Sequence, residues 1–289
     1  MNINKITTAI LAACFLTSCD FSEDDCPRHG MLRAWCDFEQ VAPAFRPDYE
    51  ECHLHAFGTR EYDIPPATFS SDTLHWSLPR DTYDFVFYSG CYRVEDGCCP
   101  FKMRLAVPTK TVGEKEYIVE KQTYCTTSLF QKEVFYQKTT NAEIMPTQFV
   151  QRLNLKVNVI GDTQILESIQ TELDGIYTNR CISSKNCYGQ ATVIDKLSHV
   201  KDTNSWIVSN WMFGFNPKIP NILSLHVRMN EENSQLNETQ TVNLSHILAG
   251  NESPEVSVEI DLYIGKELTI GSVTTIPEWE DIPETDLTK

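Results

Sequence analysis

The sequence predicts an all-β protein of two β-sandwiches in tandem, and three observations predict it. Apolar residues recur with a period of two along most of the chain. They do so in short runs separated by turn residues, the spacing expected of sandwich strands. The chain has 289 residues, and the part after residue 18 has the length of two ordinary domains, with a single large β domain as the alternative.

Residues 1–18 stand apart. Lys5 is the sole charge before Asp20, and Ile6 to Leu16 is an apolar run of signal-peptide length, too short to span a bilayer. It ends in Leu16-Thr17-Ser18-Cys19, which resembles a lipobox, although an ordinary secretory signal beside a chance cysteine is the alternative. The small residues admit the backbone to a peptidase, and the Cys19 thiol takes the lipid once the chain is cut before it. One acyl chain binds a membrane only marginally, so a durable anchor needs further chains. Residues 19–27 form an acidic tether. Within it Ser22, Glu23, Asp24 and Asp25 resemble the tag that sends lipoproteins to the outer face of the outer membrane; a merely solvated tether is the alternative.

The first sandwich is predicted over residues 28–146. A strand at Met31–Phe38 follows the Pro27–Gly30 turn, and Cys52–Phe57 alternates, with His53, His55 and Phe57 on one face. Leu74–Leu78 and Tyr83–Tyr88 make a hairpin across Pro79-Arg80-Asp81-Thr82, where proline takes a favoured turn position. Further strands are expected at Lys102–Val107, Glu116–Glu120 and Glu133–Gln137.

The second sandwich is predicted over residues 147–289, beginning with a long alternating strand at Phe149–Ile160. Gln164–Leu173 reads as a helix, because Ile165, Leu166, Ile169 and Leu173 recur at helical spacing before Gly175. Strands follow at Gln190–Ile194, Ser205–Phe213, Ile222–Met229, Thr239–Leu244 and Val256–Ile264. In the last of these Val256, Val258, Ile260, Leu262 and Ile264 share one face. They make a candidate strand for pairing with a partner subunit, with an internal sandwich strand as the alternative. The acidic tail Ser272–Lys289 is expected to be extended, its prolines at 277 and 283 resisting uncontrolled pairing.

Charge and motifs narrow the function. Loss of residues 1–18 removes Lys5 and takes the formal charge from −16 to −17, which argues against nucleic acid as a partner. No Gly-x-Ser-x-Gly elbow, phosphate loop, dinucleotide fingerprint or His-Glu-x-x-His helix occurs, so no catalytic residue, cofactor or metal is assigned. His53 and His55 beside Cys52 are the most metal-like group, yet no second cluster stands at zinc spacing. The chain has 11 cysteines, and export permits disulfides. Cys181 and Cys187 flank a short loop and are the candidate pair; Cys91 with Cys98 or Cys99 is another, and buried thiols are the alternative. Trp206, Trp211, Phe213 and Phe215 would suit either a sugar-stacking platform or a core. Asp72-Thr73-Leu74 matches a short O-glycosylation pattern.

Taken in order, these segments resemble a known family. Asp25-Cys26-Pro27 leads into Met31–Phe38, and Leu78-Pro79-Arg80-Asp81-Thr82-Tyr83 is similar to a Leu-Pro-x-Gly-x-Tyr hairpin with Asp81 in place of glycine. Trp211–Phe215 leads to Asn221–Leu225, and an acidic tail follows with Trp279-Glu280-Asp281. Together with the lipobox they resemble the fimbrillin-associated lipoproteins of Bacteroidales, the FimB-like fimbrial anchor and assembly family. The resemblance implies two transthyretin-like sandwiches, a place at the cell outer membrane as a fimbrial accessory subunit, and fimbrial subunits as partners joined by strand complementation. A glycan-binding surface lipoprotein is the alternative.

Overall fold

The computed structural model describes residues 28–288, apart from 91, 96, 98, 121, 232, 233, 266, 278 and 280–286. The signal segment, Cys19, the tag Ser22 to Asp25 and the tether lie outside the described residues, as do Cys26, Cys91 and Cys98.

The protein is nearly all β, and each half packs two sheets face to face. In the first half, β11 (Thr139–Ile144), β1 (His29–Cys36) and β4 (Thr73–Pro79) form a three-stranded sheet in that spatial order. It faces a five-stranded sheet ordered β12 (Thr147–Gln148), β10 (Thr126–Val134), β5 (Asp81–Ser89), β2 (Cys52–Gly58) and β3 (Ala67–Thr68). Alternation sends Leu32, Ala34, Leu78 and Ile144 inward from the small sheet to meet Leu54, Tyr83, Phe85 and Phe87 from the large one. The structure overturns the expected hairpin here: β4 and β5 do not pair, and the Pro79–Thr82 turn carries the chain from one sheet to the other. Asp81 holds it by accepting from the Thr59 hydroxyl, from Arg60 N at 3.0 Å and from Thr82 N at 2.8 Å. Burial works against the Asp81 charge, but these donors hold its carboxyl below the ordinary range.

In the second half one sheet is ordered β23 (Leu268–Thr275), β22 (Glu255–Ile264), β13 (Gln151–Gly161), β19 (Ser205–Met212), β18 (Ser198–Val200) and β24 (Leu287–Thr288). The other is β21 (Ser234–Asn243), β20 (Ile222–Glu231), β14 (Leu166–Ile176), β17 (Ala191–Lys196), β9 (Lys115–Ile118) and β8 (Thr109–Val112). Leu155 and Val157 from β13 and Val258, Ile260 and Leu262 from β22 pack on Ile169, Leu223, Leu225 and Val227 across the gap. A single helical turn, α1 (Ser245–Leu248), follows β21.

The structure corrects two further expectations. Gln164–Leu173 is not a helix: Thr163–Ile165 make one 3-10 turn, and Leu166–Ile176 is β14. The inward face is Ile169, Thr171 and Leu173, and the polar Thr171 masks a period of two that would otherwise be plain. Thr171 tolerates burial because its hydroxyl donates to Asp195 O at 3.3 Å. Val256–Ile264 is an internal strand. β22 pairs in parallel with β13 from Arg152–Glu255 to Gly161–Ile264 and antiparallel with β23, so both of its edges and its apolar face serve this domain.

The halves are knitted together. Residues 93–118, which precede the 146/147 division, reach into the second half. There β9 pairs with β17 at Tyr117–Thr192, while β6 (Arg93–Glu95) and β7 (Arg104–Ala106) make a small sheet with β15 (Asn179–Cys181) and β16 (Cys187–Tyr188). A separate apolar cluster seals the junction, with Val86, Met103, Leu105 and Cys125 against Phe149, Val150 and Phe213.

Candidate assembly surface

β1 begins one residue beyond the point where the described chain starts, and it becomes the centre of its sheet. It pairs in parallel with β11 from Met31–Thr139 to Cys36–Ile144, and antiparallel with β4 from His29–Pro79 to Trp35–Thr73. Leu32 and Ala34 are fully buried. Gly30 is required where the β10–β11 turn closes over this strand, since a Cβ there would lie 2.0 Å from Phe135 O.

Beyond β1 the sheet ends. β11 and β4 are edge strands among the described residues, each with one row of backbone groups facing no other strand. Their counterparts are flanked: β22 by β23, and β19 by β18 and β24. On β11, Thr139, Asn141 and Glu143 are exposed over a buried Ala142 and Ile144, and Glu143 accepts from Trp35 Nε1 at 3.4 Å. At the turn before β11, Phe135 and Tyr136 are 42% and 41% exposed. Lys138 lies 5.6 Å from the Phe135 ring centre and Arg28 lies 5.5 Å from that of Tyr136. Unpaired N–H and C=O groups on an open edge can accept an added strand, and the exposed aromatics can bury area beside it. Sequence reasoning missed β11, because Thr-Thr-Asn-Ala-Glu-Ile sends only a small and a large apolar side chain inward.

The other candidate residues are scattered. His53 and His55 do share a face of β2, where both rings lean on Tyr88, at 5.0 and 5.7 Å. Burial pushes the His55 imidazole down to about 4, with His53 adding to the shift, so the ring is neutral at physiological pH. Among the described residues no group of three His, Cys, Asp or Glu side chains could hold a metal ion. Cys181 and Cys187 stand on adjacent strands, Arg180 being opposite Cys187, and both are thiols, as are Cys36, Cys52, Cys99 and Cys125. Of the four aromatics, Phe213 and Phe215 are buried. Trp211 packs edge-on to Phe45 and Tyr124 at 5.1 and 5.0 Å, with the Arg152 guanidinium 5.6 Å from its ring, so it cements the junction. Trp206 lines a pocket of about 430 Å³ together with His199, Glu167, Lys196, Gln164 and Asn204.

No protein-family model matches the sequence, and no curated protein sequence matches it. The fold has solved neighbours. A candidate adhesin of Bacteroides ovatus overlays with a TM-score of 0.56 at 12% identity, over 86% of this chain and 96% of its own. A candidate cell adhesion protein of Bacteroides eggerthii gives 0.55 at 9% identity, over 86% and 95%. A candidate polysaccharide-binding protein of Bacteroides thetaiotaomicron gives 0.54 at 11% identity, over 89% and 98%. At these identities the likeness is one of fold.

Proposed function

We propose that the chain is a surface lipoprotein, held to the outer membrane by lipid on Cys19, that serves as an anchor or accessory subunit of a cell-surface fimbrium. The observation that carries this reading is the position of β1. A subunit whose first strand completes its own sheet leaves no groove there for a donor strand. Fibre growth therefore stops at this subunit, while the outer edge of β11, unpaired among the described residues, is offered to one partner. The sequence resemblance and the adhesion-type fold support the same role, and no catalysis is assigned.

A photo-crosslinking residue at Asn141 tests it in fibre-bearing cells. An adduct with a fimbrial subunit is expected, and none from the same residue at Asn237 on β21. Retained fibres with no Asn141 adduct would move the contact away from β11. Cys19→Ala should abolish acyl labelling and release the protein, whereas unchanged palmitate incorporation would sink the anchor. Replacing Glu23, Asp24 and Asp25 by alanine should trap the protein on the inner leaflet, read as lost protease accessibility in intact cells.

A second reading has one observation behind it. The Trp206 pocket sets an aromatic face among polar side chains, which suits a pyranose ring. Glycan-array binding abolished by Trp206→Ala, with the fold intact, would establish it.

A further inference from the structure

β1 and β11 are parallel neighbours, so the chain enters this sheet at His29 and leaves it after Ile144 at the opposite end. The second half sits at that exit end: Val86 and Tyr88 near the end of β5 and Cys125 beside the start of β10 pack against Phe149, Val150 and Phe213. A line from the tether to the second half therefore runs along β1.

We infer that β1 is a mechanical clamp, the strand that carries tension from tether to fibre in shear. The inference rests on the anchor reading for the source of the load, but not for the geometry. Tension between residue 28 and any point beyond Met145, or along the edge of β11, pulls two parallel strands in opposite directions along their shared axis. The pairs Met31–Thr139 to Cys36–Ile144 on one side and His29–Pro79 to Trp35–Thr73 on the other must then slip together. Leu32 and Ala34 must also leave the core in the same step. A strand peeled from one end loses its bonds singly, each at low force, whereas bonds loaded side by side share the force and fail together. The excursion at residues 93–118 also joins the halves, but it leaves from β5 and β10, so it bears load only after β1 has passed it across the core. The arrangement repeats beyond the junction, where β13 pairs in parallel with β22 from Arg152–Glu255 to Gly161–Ile264.

Single-molecule pulling tests the clamp on the full mature chain carrying Cys19→Ala. One handle is fixed at the N-terminus. The other is an azide-bearing residue in place of either Met145 or Lys138, both exposed and at opposite ends of β11. Pulling through position 145 shears β1; pulling through position 138 unzips it from Met31 onward. With equal melting temperatures for the two variants, the first-event rupture force should be about two-fold or more higher through 145. Equal forces, or a higher force through 138, would overturn the clamp. Acyl labelling of the parent chain separates the two readings. A labelled chain with equal forces keeps the anchor and loses the clamp, whereas an unlabelled chain with the two-fold ratio supports the clamp and removes its membrane load.

Discussion

The two halves are wired alike. β1, β4 and β11 pair with one another as β13, β19 and β22 do, including the parallel contact of the first and last strand of each trio. β2, β5 and β10 likewise correspond to β14, β20 and β21. They differ in what is added. The β20–β21 hairpin is paired from Ile222–Asn243 to Glu231–Ser234, while residues 90–125 interrupt its counterpart and send β6 to β9 into the other half. The second half also flanks its first sheet with β23, β18 and β24, where the first half leaves both edges bare among the described residues. Among the described residues one framework thus yields a half whose first sheet is widened by flanking strands and a half whose first sheet is not. Edge pairing is the easiest feature of a sandwich to add or omit, since it leaves the core between the sheets untouched.

The largest expected effect would break this comparison at β23. Deleting residues 272–289 removes Val273, Thr274 and Thr275, the partners of Ile260, Glu259 and Val258. The truncated protein should lose its cooperative fold or associate through the bared β22 edge, seen by near-ultraviolet circular dichroism and size-exclusion chromatography. A monomer with native spectra would show that β23 is as dispensable as a flank on β11.

Equivalent core truncations sharpen the comparison. Leu32→Ala and Leu155→Ala, both at buried positions of first strands, should each cost about 2–5 kcal/mol. Because the excursion and junction cluster tie the halves, both variants should shift a single denaturant transition. Two separated transitions, each moved by its own mutation, would mean the halves unfold independently.

Gly30→Ala places its Cβ against Phe135 O and should cost about 1–3 kcal/mol. Gly113→Ala meets nothing within 4 Å but keeps a φ of +64°, so about 1 kcal/mol of backbone strain is expected. Equal midpoints for the two variants would contradict the close turn over β1.

The smallest effect is electrostatic. Hydrogen bonds from Lys156 Nζ and Asn158 Nδ2, each at 2.8 Å, hold the Glu259 carboxyl below its ordinary value of 4.5. A lowered folded value means that the contribution is complete above the ordinary pKa and disappears as pH falls through the folded one. Glu259→Gln should cost under about 1 kcal/mol at neutral pH and flatten the acid limb of the stability profile. An unchanged acid limb would show that the pair contributes nothing.

Much of the fold is legible in the sequence. The alternation that marks β13 is plain: Leu153, Leu155, Val157 and Val159 all point inward with polar residues between them, and all four are buried. The chain reversal at Pro79–Thr82 is also marked, by Pro79 and Asp81, but the hairpin expected across it does not form, because β4 and β5 join different sheets. β14 is less legible, because apolar residues at 165, 166, 169 and 173 satisfy a helical period as well as a strand with Thr171 inside. The candidate assembly edge is not legible, because β11 carries so little apolar signal.

Binary pattern and turn residues, both local properties, determined by themselves that this chain is β-rich, and where strands such as β1, β13, β20 and β22 run and which faces they bury. The tertiary structure alone decided that Val256–Ile264 lies between two strands, that residues 93–118 cross to the other half, and that β11 has a bare edge among the described residues. Those are questions of which strand neighbours which. Every strand offers the same backbone donors and acceptors along its edges, so its own side chains specify a face but not a neighbour.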